Sequence, residues 1–356
     1  VAICGDGRID ARSSGVAAYR PCPRHVLVSR TGASEGGMGR VRFGLAIENF
    51  TAHDREPDFE RIRSYALRAE ALGFDSLWAW DHMLLGSQTP FPFLDSLSTL
   101  AGLAAITERV ELGTGVLVLP LRNPVVLAKV TTSIDRMSGG RLVLGVASGW
   151  YAREFEAVGV PFDGRGAVFE RNLEVLSRFW LEDQVTGEAD GMVFKRAVML
   201  PKSTRRPRPR LLIGGYVDRV LRRAATKADG WLTYFYTADG FGRSWAKVRA
   251  FADRAGRDPG ELQNVAQLPI CVDASYEAAD RRARAFVDRL FDCPPWSEST
   301  PDSAIRGTPE QCAEQLAEHV RAGVQHIALV PCDYEPEQLD AIAADVLPLM
   351  AAAGVR

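Results

Sequence analysis

Eight short apolar runs, most of them rich in β-branched residues, alternate along this chain with stretches of helical period, and this alternation limits the fold more than any other feature. An apolar run without polar interruption suits a strand buried on both faces, as in a parallel sheet covered by helices. The pattern predicts strands at Arg42–Ile47, Ser76–Trp80, Val110–Leu117, Leu142–Val146, Leu211–Gly214, Gly230–Tyr234, Asn264–Val272 and Ile327–Val330. Helices are predicted from Pro57 to Leu72, Leu94 to Ile106, Pro124 to Ser138, Arg165 to Trp180 and Pro336 to Ala352. In the first of these, Phe59, Ile62, Tyr65, Ala66 and Ala69 share one face, and Gly73 closes it. Eight units with right-handed crossovers close into a ring, so the expected architecture is a (β/α)8 TIM barrel. The rival, an open doubly wound sheet, calls for a G-x-G-x-x-G after its first strand, which is missing. The polar, weakly periodic stretch up to Arg208 reads as an insertion between the fourth strand–helix unit and strand five, containing a small hairpin.

Composition excludes several classes of function. Lys and Arg number 43 against 45 Asp and Glu, a net charge of −2, so no overall field draws the chain to nucleic acid or anionic membrane. The basic run Pro201–Arg210 has no interleaved aromatics for stacking on bases and reads as a solvated loop or a contact for an anionic ligand tail. The six cysteines show no C-x-x-C spacing and fit the reduced thiols of a cytoplasmic protein. The five histidines show no H-E-x-x-H, so no metal site is expected. No apolar run is long enough to span a bilayer. Residues 1–39 are rich in Gly, Ser, Pro and Arg and lack periodicity. They are expected to be a disordered extension, or residues upstream of a true start at Met38, leaving 40–356 as one domain.

In a barrel, reacting groups belong at the C-terminal strand ends. Strand two ends in Trp80-Asp81-His82, where a histidine beside an acid that can hold its tautomer is placed to move a proton near neutral pH. The plainer reading, a histidine capping a turn, is less suited to a strand terminus. Strand three carries Gly113-Thr114-Gly115-Val116, strand four ends in Ala147-Ser148-Gly149-Trp150, and strand five ends in Gly214-Gly215-Tyr216 before a helix. Glycine inside a strand marks the close approach of another group, and a glycine pair before a helix exposes N–H groups suited to phosphate. Three adjacent strands ending in small residues imply a flat, sizeable ligand across the mouth. Trp78, Trp150, Trp231, Tyr234 and Phe235 could wall that pocket, although Trp78 and Trp231 equally suit the core.

The stretch Leu112-Gly113-Thr114-Gly115-Val116-Leu117-Val118-Leu119-Pro120-Leu121-Arg122-Asn123-Pro124 is followed by Asp135-Arg136-Met137-Ser138-Gly139-Gly140-Arg141, and then by Leu144-Gly145-Val146-Ala147-Ser148-Gly149-Trp150 with Glu154-Phe155. With Ile213-Gly214-Gly215, Asp229-Gly230-Trp231 and Gly307-Thr308-Pro309-Glu310, it resembles the luciferase-like monooxygenase superfamily, in particular its coenzyme F420-dependent oxidoreductase branch. The resemblance spans about Arg42 to Leu349. It implies an isoalloxazine-type ring in the barrel mouth, with Asp81 and His82 facing ring and substrate and His82 as proton donor. It also implies a non-prolyl cis peptide at Gly115-Val116 behind the ring, and cofactor contacts at Val118, Ser148, Gly149, Arg153, Gly214, Gly215 and Tyr216. Arg153, Lys202 or Arg206 would pair with the anionic tail of F420.

The implied activity is hydride transfer between F420 and a small organic substrate. The alternative is an FMN-dependent two-component monooxygenase that uses reduced flavin and O2. A third reading is a barrel that has lost turnover and only binds a ligand or partner; His82 and the glycine set argue against it. Relatives commonly pair, so a homodimer is implied, with a separate flavin or F420 reductase as a further partner. The family's sugar-phosphate dehydrogenases carry a glutamate base just after the strand-four glycine, where this chain has Trp150, so sugar oxidation by that route is not expected. Substrate choice is expected to lie with the loops Leu84–Phe93, Met192–Arg208 and Asp292–Ile305.

Overall fold

The computed structural model describes residues 40–52, 55–86, 90–290 and 302–354, so the expectation for residues 1–39 lies outside the described residues. Among the described residues the strands are β1 (Arg42–Ala46), β2 (Ser76–Ala79), β3 (Glu111–Thr114), β4 (Leu117–Val118), β5 (Leu142–Ala147), β6 (Val185–Ala189), β7 (Met192–Ala197), β8 (Arg210–Gly214), β9 (Gly230–Tyr234), β10 (Gln263–Val272), β11 (Ile305–Gly307) and β12 (His326–Pro331). Eight of them form the ring β1-β2-β3-β5-β8-β9-β10-β12, every neighbour parallel, and β12 pairs back to β1. The ring is therefore closed, with β11 added beside β10 and β4 beside β5, and the architecture is a (β/α)8 barrel.

The helices are α1 (Phe59–Ala71), α2 (Ser96–Ile106), α3 (Pro124–Met137), α4 (Ala152–Val158), α5 (Arg165–Leu181), α6 (Asp218–Lys227), α7 (Ala238–Arg254), α8 (Tyr276–Leu290), α9 (Pro309–Arg321), α10 (Pro336–Ala341) and α11 (Leu347–Ala352). Short polar side chains fix several starts. Asp58, Asp95 and Asn123 each accept a first-turn N–H of α1, α2 and α3, and Thr308 forms a reciprocal capping box with Gln311 at α9. Between α10 and α11 the helix widens to a π-turn over Ile342–Val346. Pro348, two residues on, has no N–H to continue the ladder. Among the described residues, no helix is long and apolar enough to cross a membrane.

Inside the ring, Trp78, Val143, Leu212, Leu232, Val265 and Ala328 pack into one buried cluster that floors the mouth. Gly113 makes room for Trp78, since a Cβ there would lie 2.3 Å from the indole. The close approach inferred at that glycine is thus a core side chain, and Trp78 and Trp231 are both core residues.

The N-terminal end of the barrel is polar. Glu111 accepts from Arg42 at 2.7 Å and from Arg210 at 2.9 Å, while Ser76 Oγ lies 2.8 Å from His326 Nε2. The insertion contains the hairpin β6–β7, turned at Asp190-Gly191, both with positive φ as a tight two-residue hairpin requires. The chain then enters β8 along this N-terminal end. The Asp135 carboxylate on α3 accepts the N–H groups of Thr204 and Arg205 at 2.7 and 3.0 Å, and Lys202 Nζ donates to the Phe179 carbonyl at 3.0 Å.

Candidate active site

A cavity of about 480 Å³ opens at the C-terminal strand ends. Its first wall follows β2, where Trp80-Asp81-His82 leave the sheet. Asp81 is 5% exposed and fully committed to protein. Its carboxylate accepts from Ser96 Oγ at 2.7 Å, the Val118 N–H at 2.9 Å and Arg122 Nη2 at 2.6 Å. Arg122 also reaches Asp95 at 2.9 Å, which ties the loop after β4 to the start of α2. Burial would raise the Asp95 carboxyl, but the Ser98 N–H and hydroxyl and the Arg122 guanidinium outweigh it and hold it below the usual range.

His82 takes a different partner. Its Nδ1 lies 3.1 and 3.2 Å from the two carboxylate oxygens of Glu154, a side chain with no solvent exposure in the first turn of α4. The Glu154 carboxylate also accepts the Met83 N–H at 3.0 Å. This corrects the expectation that Asp81 holds the imidazole. Successive residues of an extended segment point to opposite sides, so neighbours in sequence are poorly placed to pair. With Nδ1 donating to Glu154, Nε2 is the ring nitrogen left for the cavity that His82 lines. Phe93 and Trp150 meet the imidazole edge to face, each with ring centroids 5.7 Å away.

The second wall is built by small residues. β3 stops at Thr114, and the chain passes through a cis Gly115-Val116 peptide before β4. The Gln267 side-chain amide donates to the Gly115 carbonyl at 3.2 Å, and a Cβ on Gly115 would sit 1.8 Å from its nitrogen. Gly149 has φ +78°, and a Cβ there would meet Val118 Cγ1 at 2.7 Å. Gly214 packs Val116 beneath it, and Gly215 (φ +136°) turns the chain toward α6, whose first turn has no side-chain cap. Uncapped N–H groups at a helix start suit an anion.

Arg219 in that first turn and Arg165 at the start of α5 both line the cavity. Arg165 donates to the Gly149 carbonyl at 3.0 Å and stacks on Phe162, 3.9 Å from the ring centroid. Tyr216 donates to the Tyr234 carbonyl at 2.7 Å. Burial pushes the Tyr216 phenol well above its ordinary value and Tyr234 up to about 12, so both stay neutral near pH 7.

Most of the residues singled out in the sequence meet here: Asp81, His82, Gly115, Val116, Val118, Ser148, Gly149, Gly214, Gly215 and Tyr216 all line the cavity. Three do not. Arg153 is exposed on α4 and is not part of the lining. Lys202 and Arg206 lie in the segment that enters β8, at the opposite end of the barrel, because residues preceding a strand sit at its N-terminal end. Among the described residues none of Met192–Arg208 lines the cavity, whereas Leu85, Gly86, Phe91 and Phe93 of the β2–α2 connection do. Residues 291–301 of the third loop lie outside the described residues. Phe91 and Phe93 fall in the Leu84–Phe93 loop expected to choose the substrate, whereas Glu154, which faces His82, and the lining residues Arg165, Arg219 and Phe50 had no site role assigned from the sequence; only their places after strand ends could have marked them. Among the described residues no three or more His, Cys, Asp or Glu side chains are grouped to hold a metal ion.

The family model for luciferase-like monooxygenases matches residues 41–326. The chain belongs to this family. Its members are flavin- or F420-dependent oxidoreductases and monooxygenases, so the protein is an enzyme of the luciferase-like oxidoreductase class. It is 25% identical to an F420-dependent glucose-6-phosphate dehydrogenase of Amycolatopsis mediterranei (strain U-32), over 89% of this chain and 100% of the relative. It is 26% identical to an FMNH(2)-dependent dimethylsulfone monooxygenase of Pseudomonas putida, over 72% of this chain and 78% of that one. Among solved structures, monooxygenase RslO1 from Streptomyces bottropensis superposes with a TM-score of 0.75 at 22% identity, covering 86% of this chain and 99% of its own, a likeness of fold.

Proposed function

We propose that this protein is an F420-dependent oxidoreductase that reduces a small organic substrate, with His82 delivering the proton through Nε2. The observation that carries the reading is the His82–Glu154 pair at an apolar cavity (Nδ1 to Oε1 3.1 Å), because it leaves one imidazole nitrogen fixed and the other directed to the ligand side. The residues present fit a deazaflavin. Glycines at 149, 214 and 215 leave a wall that side chains would fill, and the uncapped start of α6 suits a phosphate. Arg165 and Arg219 both line the cavity, which supports a ligand with more than one anionic group, as F420 has and FMN has not.

When bound and reduced, the deazaflavin supplies a hydride. The acceptor would be a polarised double bond (C=O, C=N or conjugated C=C): its electrophilic carbon would take the hydride, and its heteroatom or α-carbon the Nε2 proton of a His82 imidazolium whose Nδ1–H stays on Glu154, the neutral imidazole left behind regaining a proton at Nε2 from solvent. Glu154 faces Nδ1 throughout and holds the ring plane. Asp81 works at a distance from the chemistry, by fixing the β4 segment and Arg122. The aromatic lining excludes water from the reacting atoms.

The reading is tested by titrating the full chain with F420 and with FMN, each oxidised and reduced, and measuring binding. F420 is expected to bind at least tenfold more tightly, a margin of about 1.4 kcal/mol. Tight FMN binding with none for F420 would instead make the protein an FMN-dependent monooxygenase.

A further inference from the structure

Aromatic rings line the mouth of the barrel, most densely over β1 and β2, whereas its lining arginines stand over β5 and β8. β12 and β1 lie opposite β5 and β8 in the ring. The two lining arginines stand over β5 and β8: Arg165 beside Gly149, and Arg219 in the turn after Gly214-Gly215. The half over β1 and β2 is aromatic. Phe50 stacks flat on Phe93 (centroids 4.6 Å, planes 5° apart), and Trp80 meets Phe50 edge to face at 5.7 Å. The Trp80 indole N–H donates to Tyr334 Oη at 3.2 Å, which fixes its plane, and Phe235 reaches across from β9 to within 6.1 Å of it. Phe93, and Trp150 reaching over from the end of β5, flank His82 at 5.7 Å each.

We infer that this half of the cavity takes a neutral, planar aromatic substrate bearing a carbonyl or imine conjugated to its ring, and that it disfavours phosphorylated sugars. The inference rests on the reading of the site proposed above and names its substrate class. Rigid ring walls reward a flat π-system, with offset or edge contacts beyond simple area burial. With Nδ1–H kept on Glu154, the doubly protonated His82 offers the substrate only Nε2–H, so one acceptor is matched. The carboxylate lining this half, Asp81, is spent on Ser96, Val118 and Arg122, and so offers no partner for sugar hydroxyls. Among the described residues the lining guanidinium groups, Arg165 and Arg219, stand over β5 and β8, so a phosphate seated over β1 and β2 would lack a guanidinium partner there.

The test is calorimetric titration of the full chain, with whichever oxidised cofactor binds held at saturation so that no turnover occurs. The probes are benzylideneacetone (a planar aromatic enone), phorone (a conjugated aliphatic ketone of similar size) and glucose 6-phosphate. Benzylideneacetone is expected to bind about tenfold more tightly than phorone, with no binding of glucose 6-phosphate. Phe93→Leu and Trp150→Leu, which keep apolar bulk but remove a ring, are each expected to erase most of that margin. Equal binding of phorone, binding of glucose 6-phosphate, or an unchanged margin in both variants would overturn the inference. Saturation by FMN in place of F420 with the aromatic preference intact would defeat the cofactor reading alone; F420 binding with no aromatic preference would defeat this inference alone.

Discussion

In the proposed reaction His82 must hold one nitrogen still while the other meets the substrate, and Glu154, 72 positions away, faces its Nδ1 at 3.1 Å. Removing the charge while keeping the shape isolates the role. Glu154→Gln, whose amide can turn only its oxygen or its NH2 toward Nδ1, is expected to lower kcat about 10–100-fold with cofactor affinity within about threefold, read by steady-state kinetics beside a binding titration. Unchanged kcat would reduce Glu154 to packing. The glycines make a different claim, about space. Gly149 combines φ +78° with a Cβ position 2.7 Å from Val118 Cγ1. Gly149→Ala is therefore expected to cost about 1–3 kcal/mol in urea unfolding and to weaken cofactor binding in parallel.

At the scale of elements, the apolar runs place all eight ring strands, because burial on two faces demands particular side chains, and the small hairpin expected in the insertion is present, with its turn at Asp190-Gly191. What was illegible arises from contacts between elements. Val110–Leu117 reads as one strand, yet the sheet breaks after Thr114 and resumes at Leu117, where the Val118 N–H answers to Asp81 instead of continuing the β3 ladder. The seven-residue α4 and three-residue β11 are too short to show a period. Asp81 looked chemical because it precedes His82, but its partners on α2 and after β4 make it a strut. Lys202 and Arg206 were misjudged for want of chain direction, which the order of strands already contained. The strut predicts its own test: Asp81→Asn leaves Arg122 facing one fewer carboxylate in a largely buried site, and is expected to destabilise the barrel by about 2–4 kcal/mol in urea unfolding. A change below about 0.5 kcal/mol would show the network to be dispensable.

On the scale of the whole molecule, the two ends of the barrel are specialised: the C-terminal end holds the cavity, and the N-terminal end is closed by polar groups. At that closed end His326 is fully buried between Ser76 and the Arg42–Glu111–Arg210 cluster. Burial first, then Arg42 and Arg210, hold its pKa well below the ordinary 6.5. The native histidine stays neutral as pH falls while the unfolded chain takes up a proton, so this contribution is intact above about pH 6.5 and is lost progressively below it. Urea midpoints measured from about pH 7.5 to pH 5 are expected to fall more steeply for the native chain than for His326→Gln; parallel curves would show that His326 does not set the slope.

The central claim concerns the open end, and single-turnover reoxidation of bound reduced F420, followed by absorbance in the native chain and in His82→Ala with the same substrate, tests it most directly. The account predicts cofactor affinity within about threefold of native and a reoxidation rate lowered about 10²–10⁴-fold. Reoxidation at the native rate in His82→Ala would contradict it.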